Sequence, residues 1–176
     1  MLAALRAISP ESRAEFATSA CARVVALPEF SAAPRVAVYA ALPSELSVTA
    51  VASAAAAQGK ELLWPRLTPD GVLELAAARG DELVPSDRGF LAAPADRAPA
   101  RLLPADLLLV PGVAFTRTGA RLGRGGGHYD QLIAEAPGTV TVGVAFDIQL
   151  VREVPLEPHD RPVDLVITPS GVWRTK

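Results

Sequence analysis

The sequence predicts an α/β fold around a mostly parallel sheet, and three observations predict it. Short apolar runs without polar alternation, Val36 to Ala40 and Leu107 to Val110 the clearest, suit strands buried on both faces. Between the first run and the strand-like Glu61 to Trp64 lies a helical stretch, which gives a βαβ order. A glycine-rich basic loop, Arg121 to Asp130, comes after the second run and leads into a further helical stretch.

Taken in order, Met1 to Ile8 is helix-friendly, and Ser9-Pro10-Glu11 reads as a helix start with Ser9 as N-cap and an acid in the first turn. Phe16, Ala20, Val24 and Leu27 repeat at helical spacing, so an amphipathic helix is expected to Leu27, stopped by Pro28. Val36 to Ala40 is the first strand, broken by Leu42-Pro43-Ser44-Glu45. Ser47 is placed to cap a second helix through Gln58, ended by Gly59, before the strand at Glu61 to Trp64. Val72 to Ala77 is a weak strand, and Leu83 to Pro99, rich in Pro, Asp and Arg, reads as a long surface loop. Beyond Leu107 to Val110, a short helix over Tyr129 to Glu135 and strands at Thr139 to Ala145 and Val163 to Ile167 complete the pattern.

Size and charge narrow the function. At 176 residues the chain is expected to form one domain, 1–176, with a full core. Its longest apolar runs are alanine-rich and interrupted, far short of the ~20 residues of a membrane span. Arg6, Glu11 and Arg13 come too early for a signal peptide, so a soluble, cytoplasmic protein is expected. The single cysteine, Cys21, is read as a core thiol. A net charge of −2 argues against nucleic-acid binding through a basic surface, so any anion site must be local.

The loop is where such a site is expected. Gly123, Gly125, Gly126 and Gly127 are four glycines in five residues, and they let backbone N–H groups face a ligand that Arg121 and Arg124 make anionic. A helix beginning near Tyr129 aims its positive end at the same point, and Asp130 either holds a metal there or caps the helix. A Walker A loop needs Lys-Ser or Lys-Thr after its last glycine, where this chain has His128-Tyr129. A dinucleotide fingerprint fails as well, because its third glycine position is His128 and Val110 lies too far upstream. Glu45, just past a buried strand, is either a site residue or a solvated loop acid. His128, His159 and the adjoining aspartates lack the cysteines or helical histidine pair of a transition-metal site. Asp130 with Asp160 better suits Mg²⁺ beside a phosphate, provided the two converge.

Pro111 to Phe115, followed by Gly119-x-Arg121-Leu122-Gly123-Arg124-Gly125-Gly126-Gly127-His128-Tyr129-Asp130, resembles the signature of the 5-formyltetrahydrofolate cyclo-ligases, also called 5,10-methenyltetrahydrofolate synthetases. The similarity extends to Leu5 through Glu11, Tyr39 to Glu45, Gly59-Lys60, Trp64-Pro65-Arg66, Gly143 to Phe146 with Gln149, and Pro155 through Asp160 to Ile167. It implies a three-layer α/β/α sandwich with a Rossmann-like, mostly parallel sheet. It also implies ATP- and Mg²⁺-dependent closure of 5-formyltetrahydrofolate to 5,10-methenyltetrahydrofolate; a monomer is expected, though the residues themselves do not fix the oligomeric state. Carried over residue by residue, Arg121, Gly123 to Gly127 and Arg6 are implied for ATP and its phosphates. Ala40, Glu45, Arg124 through His128 and Gln149 are implied for the folate, Arg124 and Tyr129 for catalysis, and Asp130 and Asp160 for Mg²⁺. Two departures stand out. The family usually has a lysine and an arginine upstream of the Arg6 position, which here would precede Met1, and His128 replaces the first of two tyrosines. The first departure motivates an alternative, a folate- or nucleotide-binding paralogue with weak or no ligase activity.

Overall fold

The computed structural model describes residues 1–175. A short helix α1 (Leu2–Arg6) precedes α2 (Pro10–Val25), where Ser9 accepts a hydrogen bond from the Ser12 N–H at 3.2 Å as the expected N-cap. Ala20, Cys21 and Val24 form the buried face of α2. Pro28 does stop α2, but it also occupies the first turn of a further helix, α3 (Pro28–Ala32), where its missing N–H costs nothing.

Strand β1 is shorter than expected, Arg35–Ala37, because Val38 to Ala40 leaves the ladder after one last bond from the Val38 N–H to the Leu63 carbonyl. Helix α4 (Thr49–Ala57) starts one residue later than Ser47 as a cap implies. Its N-cap is Val48, and Ser47 only accepts a long 3.4 Å bond from the Thr49 N–H. Gly59, at φ +72°, ends it as expected, with Lys60 N–H reaching back to Ala55 O. Strand β2 (Glu61–Leu67) runs through Pro65, which is tolerated because β1 pairs with β2 only to Leu63.

The segment expected to be a weak strand and a loop is more ordered than its composition implies. It holds β3 (Leu73–Ala77), a hairpin of β4 (Val84–Pro85) and β5 (Leu91–Ala92), and an edge strand β6 (Pro99–Ala100). The next elements are β7 (Leu107–Val110), β8 (Ala114–Thr116), β9 (Arg121–Leu122), α5 (His128–Glu135) and β10 (Val140–Val144). Strands β11 (Leu150–Val151), β12 (Leu165–Thr168) and β13 (Gly171–Arg174) complete the chain.

Eight strands form the main sheet in the order β13-β12-β10-β7-β1-β2-β3-β6, parallel from β12 to β2 and antiparallel at both edges. From β1 the chain crosses through α4 to β2 on one side, and later enters β7 on the other. The C-terminal ends of β1 and β7 therefore flank a switch point, where open α/β sheets form their ligand crevice. Successive residues of β7 point to opposite faces. Leu107 and Leu109 join the core under α2 and α4, while Leu108 and Val110 join a second core with Phe115 and the Leu132 and Ile133 side chains of α5. The second outer layer is thus one helix, α5, together with a small sheet of order β11-β8-β9. Among the described residues, no helix is long and apolar enough to cross a membrane.

Candidate active site

A cavity of about 170 Å³ opens at the switch point. The exit from β1 contributes Tyr39, Ala40 and Glu45, and the exit from β7 contributes Pro111 and Gly112. Gly123, Arg124 and Gly126 come from the loop, Arg121 from β9, and His128, Tyr129 and Asp130 from the first turn of α5. Most of the residues singled out in the sequence therefore meet in one place.

Arg121 and Asp130 are the buried charges of this wall, 7% and 9% exposed. Arg121 Nη2 donates to Asp130 Oδ2 at 2.6 Å, and Asp130 Oδ1 accepts from the Arg161 N–H at 3.0 Å. Arg121 Nε has no hydrogen-bond partner although it is buried. A buried N–H left unpaired costs about 1–3 kcal/mol. Gly123 makes room for this guanidinium, since a Cβ there would lie 2.8 Å from Arg121 Nη1. Gly127 takes φ +63° as the N-cap of α5, a left-handed turn that suits glycine and leaves the helix's first N–H groups without a side-chain cap.

Arg124 reaches across the cavity. Its Nη2 donates to Ser44 Oγ at 2.5 Å and its Nε to Glu45 Oε1 at 3.3 Å, while Glu45 Oε2 accepts from the Leu42 N–H at 2.9 Å. Glu45 is accordingly a wall residue whose side chain is only 9% exposed, not a solvated loop acid. Burial, and then the nearby Glu45 carboxylate, push the Tyr129 phenol above the ordinary tyrosine range, with Arg121 pulling weakly the other way. The Tyr39 phenol is likewise raised, first by burial and then by the nearby Glu45 carboxylate, and its hydroxyl donates to Leu46 O at 2.7 Å. Both phenols are therefore neutral donors at physiological pH, unsuited to act as bases.

The remaining expectations divide. Asp160 is outside the wall, its Oδ2 accepting from the Glu157 N–H at 2.7 Å. Its neighbour Arg161 nonetheless bonds Asp130, so the two carboxylates are carried on touching segments. Among the described residues, no three His, Cys, Asp or Glu side chains cluster to hold a metal unaided. Gly125 and Gly127 are exposed on the loop, and Arg6 is exposed at the end of α1, away from this wall. Gln149 is also outside the wall. It is 1% exposed, and both ends of its amide are bound to backbone. Sequence reading missed Ser44, whose role depends on a partner 80 residues away, and Phe90, which lines the cavity from a segment read as surface loop.

Comparison with known proteins identifies the fold and the family. The curated 5-formyltetrahydrofolate cyclo-ligase of Escherichia coli K12 is 34% identical over 174 residues, covering 96% of each chain. The solution structure of Aquifex aeolicus 5,10-methenyltetrahydrofolate synthetase superposes with a TM-score of 0.85 at 29% identity, over 99% of this chain and 89% of that one. The Mycoplasma pneumoniae 5,10-methenyltetrahydrofolate synthetase shares the fold, with a TM-score of 0.76 at 19% identity over 96% and 93%. The sequence model of the 5-formyltetrahydrofolate cyclo-ligase family matches residues 1–169, a span that contains the whole cavity wall, and the chain belongs to that family.

Proposed function

We propose that this protein closes 5-formyltetrahydrofolate to 5,10-methenyltetrahydrofolate at the expense of ATP, releasing ADP and phosphate, as a cytoplasmic monomer. The observation that carries this reading is the buried Arg121–Asp130 pair, with one guanidinium N–H unpartnered, beside a glycine-rich loop at the switch point.

A formamide oxygen is a poor leaving group. Transfer of the γ-phosphoryl group to it forms an O–P bond as the bond to ADP breaks, giving an imidate phosphate. The substrate's second nitrogen then attacks the activated carbon, and phosphate leaves with the former formyl oxygen. Such transfer depends on alignment and on stabilising charge that spreads over phosphoryl oxygens. The Arg121 guanidinium and the N–H groups of Gly123 to Gly127 supply fixed donors for this. Arg124 supplies a mobile one, released from Ser44 and Glu45 as ligand enters. Glu45 and the Ala40 backbone hold the folate, whose ring N–H groups suit a carboxylate acceptor. Tyr129 donates a hydrogen bond while remaining protonated, and His128 adds a second ring beside it. Asp130 and Asp160 offer the hard oxygen donors that Mg²⁺ takes alongside phosphate and water. That ion would neutralise charge on the nucleotide's phosphates.

The test is the near-ultraviolet absorbance of the methenyl product, which the 5-formyl precursor lacks. An ATP- and Mg²⁺-dependent rise is expected. With adequate folded protein, no rise rejects the reading in favour of a paralogue that binds without turnover.

A further inference from the structure

We infer that Gln149 is a positioning residue that fixes the phosphate-side wall and, through it, Arg121. The side chain follows β10 in a short 3₁₀ turn, Asp147–Gln149. Its Oε1 accepts from the Phe146 N–H at 2.8 Å, and its Nε2 donates to Gly112 O at 2.7 Å and Val113 O at 3.2 Å. All three partners are backbone groups just past the ends of two paired parallel strands. The β7–β10 ladder closes at Val110 and Gly143, so beyond that pair these groups need another partner, and buried backbone groups rarely go without one. A single primary amide supplies one acceptor and two donors, which matches this set. Glutamate would lose both donors, and leucine would lose all three bonds.

The consequence for the site runs through contact. Gly112 is part of the cavity wall, and a Cβ there would lie 3.2 Å from Arg121 Cγ, so the stem of Arg121 rests on this backbone. The Val113 N–H donates to Leu122 O at 2.7 Å, and β8 then pairs Phe115 with Arg121. Gln149 thus holds both the surface against which Arg121 packs and the first rung of the hairpin that carries it. A residue serving only as core filler would not direct every polar atom at the exits of these two strands.

The kinetic part of the test rests on the proposed ligase activity. Gln149→Leu is compared with Asp106→Asn, which weakens a buried ion pair at the opposite end of the sheet, each assayed well below its melting temperature. Expected for Gln149→Leu is a KM for ATP raised at least fivefold, with the KM for 5-formyltetrahydrofolate within twofold of the parent and Asp106→Asn changing neither. Unchanged constants, or parallel rises in both, overturn the inference. If Gln149→Leu does not fold, Gln149→Asn, which keeps the amide but is one methylene short, is judged by the same criterion. If the parent protein shows no turnover, the ligase reading fails, and hydrogen exchange decides the positioning role by itself. Amide exchange at Val113 at least tenfold faster in the Gln149 variant than in Asp106→Asn supports it, and equal exchange overturns it.

Discussion

Arg124 donates to a neutral hydroxyl and a carboxylate at once, yet its side chain is 42% exposed, so the arm is held by a contact that solvent weakens. Exposed ion pairs contribute about 0–1 kcal/mol, and the arm is therefore free to exchange Ser44 and Glu45 for a ligand. Arg124→Ala is expected to lower turnover at least tenfold, about 1.4 kcal/mol of transition-state stabilisation, with little change in melting temperature. Asp130→Asn is expected to lower turnover as much, and near-normal rates in both variants refute the loop's role. Tyr129 and Tyr39 give a pH signature. Their phenols lie above the ordinary value of 10.0, so between that value and the raised ones the native state holds more protons than the unfolded state. Stability is then fully present below about pH 10 and falls as pH rises beyond it. Urea midpoints measured from pH 8 to 11 should decline above pH 10, and less steeply in Tyr129→Phe. At this scale the glycines, arginines and Asp130 were legible as one cluster because their types form an anion-site pattern, and several of them do line one cavity, whereas Ser44 is an ordinary turn residue until Arg124 reaches it.

Arg66 governs the element that sequence composition misrepresents. Its Nη1 donates to Pro94 O and Arg97 O at 2.8 and 2.7 Å, and its Nε and Nη2 donate to Glu74 Oε2 at 3.2 and 3.0 Å. These bonds tie the chain after the β4–β5 hairpin to β2 and β3, and the hairpin's turn carries Phe90 to the cavity. The two-residue strands show no readable alternation, and the chain that follows them is anchored by a guanidinium outside the segment. Replacing Arg66 by Leu leaves two carbonyls and a half-buried carboxylate without this partner. Limited proteolysis between Gly80 and Arg97 should then be several times faster, while far-ultraviolet circular dichroism of the sheet and helices is retained. Protection equal to that of the parent would mean that the hairpin is held by its own packing. Strand β7, by contrast, was legible to the residue, because a strand buried on both faces between two parallel neighbours must be apolar throughout.

Across the whole molecule, strand order determines what can meet. Tyr39 to Glu45 and Pro111 to Asp130 are distant in sequence, and the reversal between β1 and β7 makes them two sides of one cavity. The βαβ rhythm forecast the parallel sheet, but β13 and the small β11-β8-β9 sheet were not foreseen, since their few residues read as loop until a neighbour pairs them. The buried Arg121–Asp130 pair then raises a question of stability against function. If it served stability, removing both charges together would be costly. Buried ion pairs, however, lose so much hydration that apolar replacements are often neutral or stabilising. Arg121→Met combined with Asp130→Leu is therefore expected to melt within a few degrees of the parent. Ligand linkage separates the two roles. At ATP 100-fold above its dissociation constant, binding stabilises the parent by about 2.7 kcal/mol, or roughly 5–11 °C for a chain of this size. The double variant should show no such shift in differential scanning fluorimetry with ATP and Mg²⁺. A full shift in the variant would assign the pair to the fold alone, and a cold-melting variant without ligand would show that the charges hold the cavity wall together.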